Sequence, residues 1–203
     1  MSDLRERKRR KTLTAIHEAA MALFAERGYG NVTVAEIADA ADVGRATVFS
    51  YYGSKEEIVL GESAVAVEGL RAALAGVPDQ SGVLAAVREW LRTLVGWVEP
   101  DLLLQMRLAD EVPAVAAARS RLQRAIEEEI AVALAHTMPA GSPLLPRLVA
   151  GALGAALSTV ELEAARRLRD AADPLTADEV DRLFDAAVSF VDGGVARLAD
   201  GAR

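Results

Sequence analysis

The side chains with the greatest potential for chemistry lie in residues 33–57, which read TVAEIADAADVGRATVFSYYGSKEE. Four of them are spaced to share the outward face of one short helix: Arg45, Ala46, Thr47 and Ser50. A guanidinium and two hydroxyls on one face can donate and accept hydrogen bonds, and Lys55 adds a second cation nearby. The segment therefore offers a surface that could recognise a polar or charged partner.

Two short helices joined by a tight turn position that face. Thr33 and Glu36 form a capping box, in which the hydroxyl accepts from the N–H of residue 36 and the carboxylate accepts from the N–H of Thr33. Apolar residues then recur at spacings of three and four, at Val34, Ile37, Ala38 and Ala41. After a turn, Gly44 can cap a second helix that buries Val48 and Tyr52. This pattern predicts a helix-turn-helix.

A cation at the start of the next helix suggests a nearby phosphate. Ser54 and Glu57 form a second capping box, so this helix begins at Lys55, where the helix dipole disfavours a positive charge. Free N–H groups and a lysine at a helix start together favour a phosphate, and DNA carries phosphates beside any recognition helix. We therefore expect Lys55 to lie near DNA.

The net charge of −7 is unevenly distributed along the chain. Residues 1–60 carry nine basic and nine acidic side chains, so residues 61–203 carry the whole excess of acid. Residues 1–11 hold six basic and two acidic side chains, a local charge of +4. Such a run is either a solvated, disordered tail or a patch that binds phosphates, and its place beside the helix-turn-helix favours the patch.

Residues from about 13 to 58 resemble the tetracycline-repressor (TetR) family of transcriptional regulators. The resemblance is carried by IHEAAMALFAERGYGNVTVAEIADAADV and by GRATVFSYYGSKEEI, which follows it directly. Two groups of DNA contacts are expected: Arg45, Ala46, Thr47 and Ser50 near base edges in the major groove, and Thr33, Tyr51 and Lys55 near phosphates. The resemblance also implies a larger helical domain that binds an effector and forms a dimer.

Three positions depart from the usual family pattern. Asp42 stands where the family usually has glycine, so this aspartate must adopt a left-handed backbone conformation. Phe49 stands in place of a tyrosine and Tyr51 in place of a histidine. A phosphate-binding hydroxyl is therefore missing at one position and can be supplied from the other.

The composition favours an all-α fold without catalytic chemistry. Hydrophobic residues make up 52% of the 203 residues but aromatic residues only 4%, so alanine, leucine and valine dominate, which suits helices packed on helices. The chain has no cysteine, which excludes disulfides and thiolate metal sites and fits a cytoplasmic protein. His17 and His136 lie far apart without other ligands at metal-binding spacing, so each is expected to be structural or exposed. With no nucleotide-binding or hydrolase motif in the sequence, we expect no enzyme activity, no cofactor and no metal.

The chain beyond Ile58 predicts long helices separated by short breaks. They cover residues 55–75, 82–98, 101–110, 113–137, 143–169 and 176–199, the last beginning with a capping box at Thr176 and Glu179. With the N-terminal helices the total is about nine. We divide the chain into a helix-turn-helix domain, residues 1–53 with a basic arm at 1–11, and a domain for effector binding and dimerisation, residues 54–203. Uncharged stretches such as 148–160 fall short of the ~20 residues that span a bilayer, so no membrane segment is expected.

The last two predicted helices carry small and apolar residues at helical spacing. Two such helices from each of two chains can form a four-helix bundle, the usual dimer interface in the family. The predicted interface residues are Ala150, Gly154, Leu157, Leu183, Phe184, Ala187 and Val191. The alternative is that both apolar faces pack in their own core.

An effector pocket is expected beside a stripe of large side chains. Trp90, Leu94 and Trp97 share one helix face, and the residues predicted to extend the lining are Met106, Ile126 and Ile130. The alternative is that the stripe is core. An apolar lining favours a mainly apolar effector.

Two functions are consistent with the sequence. The first is a ligand-responsive regulator, typically a repressor, that binds a near-palindromic operator as a homodimer and is released by its effector. The second is a helical architectural or protein-interaction module whose helix-turn-helix does not read DNA. The cations at Arg45, Lys55 and residues 1–11 favour the regulator.

Overall fold

The computed structural model describes residues 2–61, 63–95, 101–138, 144–170 and 175–201. Over these ranges the fold is all-α, as predicted, with ten α-helices, one 3-10 turn and no strand. In chain order they are α1 (Ser2–Arg27), the 3-10 turn (Tyr29–Asn31), α2 (Val34–Ala40), α3 (Arg45–Tyr51), α4 (Lys55–Val59), α5 (Ser63–Leu74), α6 (Gln80–Val95), α7 (Leu102–Glu111), α8 (Pro113–Thr137), α9 (Leu145–Arg169) and α10 (Ala177–Gly201).

The helices form two compact units that are not continuous in sequence. The first unit contains Met1–Val65 and Asp101–Arg121, and the second contains Ala66–Pro100 and Leu122–Arg203. The boundary after residue 53 stays a prediction.

Helix ends follow the local chemistry of the sequence. The capping boxes at Thr33 and Thr176 are both present, with backbone N–H groups donating to Glu36 and Glu179 at 2.8 and 2.9 Å. Asp42 has the expected left-handed backbone, at φ 54°. At Ser54 only half of the predicted box forms, because the carboxylate of Glu57 accepts from the N–H of Gly53 instead.

The helix predicted over residues 55–75 is divided into α4 and α5. The N–H groups of Leu60 and Gly61 donate to carbonyls three residues earlier, which tightens the end of α4. Gly61 then adopts φ 61°, a conformation that ends a helix and that glycine tolerates without a side-chain clash. The helical periodicity continues through this point, so the division was not predicted.

The core of the first unit surrounds α1. Leu13, Ile16 and Phe24 on α1 are fully buried and belong to one cluster with residues of α2, α3 and α4. The same cluster includes Leu108 of α7 and Val115 of α8. A segment distant in sequence therefore completes the hydrophobic core around the helix-turn-helix.

The two histidines, each expected to be structural or exposed, differ in their surroundings: one is buried and the other is exposed. His17 is buried in the first unit, where its Nδ1 lies 2.8 Å from the carbonyl oxygen of Ile58. His136 is exposed near the end of α8, with Nδ1 2.7 Å from the carbonyl oxygen of Val132. The buried ring joins α1 to α4.

The second unit is a bundle in which α10 packs on α6 and α9. Ion pairs reinforce the α6–α10 contact: Arg88 lies 2.8 Å from Asp185, and Arg92 lies 2.9 Å from Asp181. Of the described helices, α9 alone is long and apolar enough to cross a membrane by length and composition. Its Ala150, together with other apolar residues of the same face, is buried against the bundle, which accounts for part of the apolar character of α9.

The left-handed residue in the helix-turn-helix allows a test of the local backbone. Asp42→Gly should stabilise the protein by up to about 1 kcal/mol, because glycine adopts positive φ without a side-chain clash. Ala35→Gly, inside α2, should instead destabilise it by about 1 kcal/mol. Urea unfolding followed by circular dichroism measures both. Equal destabilisation by the two glycines would contradict the left-handed assignment.

Candidate DNA-binding surface

The helix α3 has one buried and one exposed side. Val48 and the following residue, Tyr52, are fully buried, and the hydroxyl of Tyr52 donates to the carbonyl of Leu13 at 3.2 Å. Gly44 caps α3 with its carbonyl, which accepts from the N–H groups of residues 47 and 48, as predicted. Burial of the inner side fixes which residues of α3 face solvent.

The exposed side of α3 carries the residues predicted to read bases. Arg45, Ala46 and Ser50 are exposed and Thr47 is half-buried. The Ser50 hydroxyl donates to the carbonyl of Thr47 at 2.7 Å, which leaves its oxygen free to accept. Seven residues make α3 about 10 Å long, comparable to the width of the DNA major groove.

Phe49, which the predicted contact set omits, lies on the same exposed side. Its side chain is 50% exposed. Tyr51, on the other hand, is half-buried and packs against the core of the first unit. The helical spacing of Phe49 from Arg45 could have revealed it, but an apolar ring carries no hydrogen-bonding signal.

Thr33 is occupied by contacts within its own chain. Its hydroxyl donates to Glu36 at 2.8 Å and accepts from the N–H of the same residue at 3.3 Å. Hydrogen bonds from Thr33 hold the pKa of the Glu36 carboxyl below its usual range, and Arg27 adds to the effect from 3.2 Å. The exposed Thr33 thus fixes the start of α2.

Lys55 is also engaged inside the first unit. Its ammonium donates to the carbonyl oxygens of Tyr29 and Val32 at 2.7 and 2.9 Å and lies 3.8 Å from the centre of the Tyr29 ring. Partial burial lowers the pKa of Lys55. Since an ammonium has three donors, two are used to join α4 to the 3-10 turn and one remains for another partner.

Tyr29 completes this junction from the other side. Its hydroxyl donates to Glu56 at 2.7 Å. Burial is the larger cause, and this hydrogen bond the smaller one, of a raised pKa of Tyr29. Its ring also packs on Phe24 of α1 at 5.1 Å. The junction holds the start of α4 against the chain just before α2.

The basic arm is helical over its described residues. Ser2–Arg27 is one helix, and Arg7, Lys8, Arg10 and Lys11 are exposed on it. The basic side chains are therefore held on a helix that continues into the core of the first unit. The described residues of the basic arm are therefore helical and do not form a disordered tail.

The residues predicted for an effector pocket are distributed over both units. Trp90, Ile126 and Ile130 are buried in the core of the second unit, and the indole N–H of Trp90 donates to the carbonyl of Ala66 at 2.9 Å. Met106 belongs to the first unit, where its sulfur accepts from Arg119 at 2.8 Å. The Leu94 side chain and Trp97 lie outside the described residues.

Most of the residues predicted for a dimer interface pack within their own chain. Ala150, Gly154, Phe184 and Val191 are buried in the single chain, and a side chain at Gly154 would meet the carboxylate of Glu127. These four residues are part of the packing within one chain, and their place in a dimer interface stays a prediction. Leu157 and Ala187 are half-buried, and Leu183 is exposed.

A different side of α9 and α10 is apolar and exposed. Large exposed side chains on the two helices are Leu148, Leu162, Leu183 and Phe190, the last 82% exposed. On α9, sequence periodicity did not separate this side from the buried one, because both faces of this alanine- and leucine-rich helix are apolar. On α10, the exposed Leu183 and Phe190 adjoin the buried apolar side and lie away from the ion-paired Asp181 and Asp185.

Comparison with known proteins gives matches over both the helix-turn-helix and the longer chain. Residues 16–61 match the family model described as bacterial regulatory proteins, tetR family. The regulator TcmR of Streptomyces glaucescens is 31% identical over 137 residues, a match that spans 63% of this chain and 61% of TcmR. The transcriptional regulator MftR of Mycobacterium tuberculosis is 29% identical over 197 residues, or 95% of each chain.

Solved structures share the fold over most of the chain. A transcriptional regulator from Pseudomonas aeruginosa PAO1 aligns with a TM-score of 0.59 and 19% identity, covering 91% of this chain and 92% of the other. NalD, the secondary repressor of the MexAB-OprM efflux pump in the same species, aligns with a TM-score of 0.52 and 21% identity over 87% and 93%.

The contacts of Lys55 predict a stability effect in the absence of any ligand. Lys55→Ala should destabilise the protein by about 1–2 kcal/mol, because two carbonyls lose a charged donor that is only partly exposed. Lys11→Ala, at an exposed site on α1, should stay within about 0.5 kcal/mol of the parent. Chemical unfolding without DNA compares them. Equal stabilities would mean that the junction contributes little.

Proposed function

The chain belongs to the TetR family of bacterial transcriptional regulators, and from this premise we propose that it binds duplex DNA as a homodimer under the control of a small effector. Members of this family are regulators and not enzymes. We propose repression as the outcome of binding, and action in the cytoplasm, where chromosomal DNA is reached directly.

The observation that carries the proposal is the exposed side of α3. Its inner side is buried, so Arg45 and Ser50 are presented together on a helix short enough to enter the major groove. Arg45 can donate two hydrogen bonds to one guanine, and the Ser50 oxygen, whose O–H donates to Thr47, can accept from a base edge. Ala46 and Thr47 lie beside them on the same helix.

Phosphate contacts would position this surface rather than specify sequence. The exposed arginines and lysines of α1 supply charge for them. Lys55 would donate its remaining N–H to a phosphate. Tyr51 and Thr33 are further expected phosphate contacts. Thr33 would act by holding the start of α2, which it caps, beside the phosphate. The alternative of an architectural module offers no use for Arg45 and the exposed cations of α1, whereas Lys55 has a structural role in either case.

The proposed dimer pairs the exposed apolar sides of α9 and α10 from two chains. Leu148, Leu162 and Phe190 would leave water on pairing, and each fully buried side chain of this size contributes about 1.5–3 kcal/mol. Leu183 and Ala187 from the predicted set lie on or beside this side, whereas Leu157 packs against the core of the second unit. A two-fold dimer would present two copies of α3 to a near-palindromic operator.

The proposed effector is small and mainly apolar. Trp90, Ile126 and Ile130 support it because they belong to one buried apolar cluster of the second unit, and small-molecule sites are lined mainly by apolar side chains. An effector would release DNA only by its differential affinity for a conformation that cannot span two half-sites.

Arg45 tests base recognition. We expect duplexes selected by the protein from a random library to share a two-fold symmetric sequence, and Arg45→Ala to bind them about 1–3 kcal/mol more weakly with relaxed specificity. Arg124→Ala, an exposed site on α8, should match the parent. Affinities by fluorescence anisotropy at several salt concentrations separate base from phosphate contacts. If the protein enriched no particular sequence from the random library, the proposal would be refuted.

Phe190 tests the proposed dimer. Phe190→Glu should convert the protein to monomer at micromolar concentration, because the interface would bury an unpaired carboxylate. The matched control is Val132→Glu, at an exposed apolar site on α8, which should leave assembly unchanged. Sedimentation velocity distinguishes the two. A Phe190→Glu dimer as tight as the parent would contradict this interface.

The tryptophans test the effector. The two tryptophans of the chain are Trp90 and Trp97, so intrinsic fluorescence reports on the surroundings of these two residues without a label. A compound that releases the selected duplex should change the emission over the same concentration range. If releasing compounds leave the emission unchanged, the effector binds elsewhere.

A further inference from the structure

Phe49 is an apolar ring at the centre of an otherwise polar surface. It is half exposed in the middle of α3, one helical turn after Arg45 and directly before the exposed Ser50. The neighbouring rings behave differently, since Tyr52 is buried and Tyr51 packs against the core. The chain has therefore placed one large apolar side chain where it contributes little to its own core.

The chemistry of a phenyl ring limits what it can bind on DNA. It has no hydroxyl, so it cannot donate a hydrogen bond to a phosphate or a base edge. Among the groups that base edges present in the major groove, the apolar one is the C5-methyl of thymine. A ring that leaves water against this methyl gains free energy, whereas the same ring against an acceptor-rich edge leaves that edge unsatisfied.

The placement of Phe49 suits such a contact. Residues four apart lie on one side of a helix, so Phe49 and Arg45 face the same way. With α3 about 10 Å long, both would fit within the width of one major groove. Arg45 at the helix start would meet a guanine, and Phe49 would reach a base pair close to it on the same groove edge.

We propose that Phe49 is a specificity-determining residue that contacts thymine C5-methyl groups in each half-site. The inference rests on the proposed function, because it requires α3 to enter the major groove. It adds a preference for thymine that the hydrogen bonds of Arg45 and Ser50 do not account for.

The test removes thymine methyl groups one position at a time. The duplex is the one enriched from a random library by the purified full-length protein, and each thymine is replaced in turn by deoxyuridine, which keeps base pairing but lacks the methyl. Binding is measured for the parent, Phe49→Ala, Phe49→Tyr and Val132→Ala. Circular dichroism melting of each variant verifies folding.

The expected result is a position-specific loss that depends on the ring. In the parent, one or two thymines per half-site should each lose about fourfold in affinity on replacement, the factor for one methyl-sized apolar group. Phe49→Ala should bind the thymine duplex more weakly and show no loss at those positions. Phe49→Tyr should keep the sensitivity because it keeps the ring, and Val132→Ala should behave as the parent.

Two results would overturn the inference while leaving the proposed function intact. One is selective binding with no sensitivity to deoxyuridine, in which case the ring meets sugar or solvent. The other is equal sensitivity in the parent and Phe49→Ala, which would assign the methyl contact to Ala46 or Thr47. Failure of the parent to select any duplex would instead refute the proposed function itself.

Discussion

Burial of the inner side of α3 is the constraint on which the recognition surface depends. Val48 and Tyr52 have no exposed area, and the Tyr52 hydroxyl is tied to the backbone of α1. If α3 rotated about its axis, these side chains would enter water and a buried hydroxyl would lose its acceptor, each at a cost of about 1–3 kcal/mol. The outward direction of Arg45, Phe49 and Ser50 is thereby fixed.

The surrounding contacts hold this constraint in place. Lys55 joins α4 to the 3-10 turn, Glu56 binds Tyr29, and His17 joins α1 to α4. Leu108 and Val115 complete the same core from a segment that follows much later in the chain. Rigid support of this kind suits a surface whose function would be to match another molecule closely.

Local chemistry made part of this fold predictable. Capping boxes at Thr33 and Thr176 were identified because each depends on residues a few positions apart. The left-handed Asp42 was implied by the family resemblance, since the family usually has glycine at that position. The division at Gly61 was missed, since helical periodicity continues through it. Roles that depend on distant residues were missed as well: the carbonyls that bind Lys55, and the pairing of Arg88 and Arg92 with α10, follow from the tertiary fold.

The surface residues show the same division. Helical spacing correctly separated the buried Val48 from the exposed Arg45, because α3 has one clearly apolar side. On α9 small and apolar residues occur on both sides of the helix, so spacing could not tell the side with Ala150 from the side with Leu148. Phe49 was not included in the expected contacts because a phenylalanine is ordinarily expected in the core, and only the structure shows that this one is exposed.

Methylation interference on the selected duplex tests the central claim most directly, that α3 reads the major groove as one of two symmetric copies. Dimethyl sulfate modifies guanine N7 in the major groove and adenine N3 in the minor groove. Interference at guanine N7 in two clusters, related by a dyad and centred about one helical turn or a multiple of it apart, is the result predicted. Interference confined to adenine N3, or a single cluster without a symmetry mate, would contradict it.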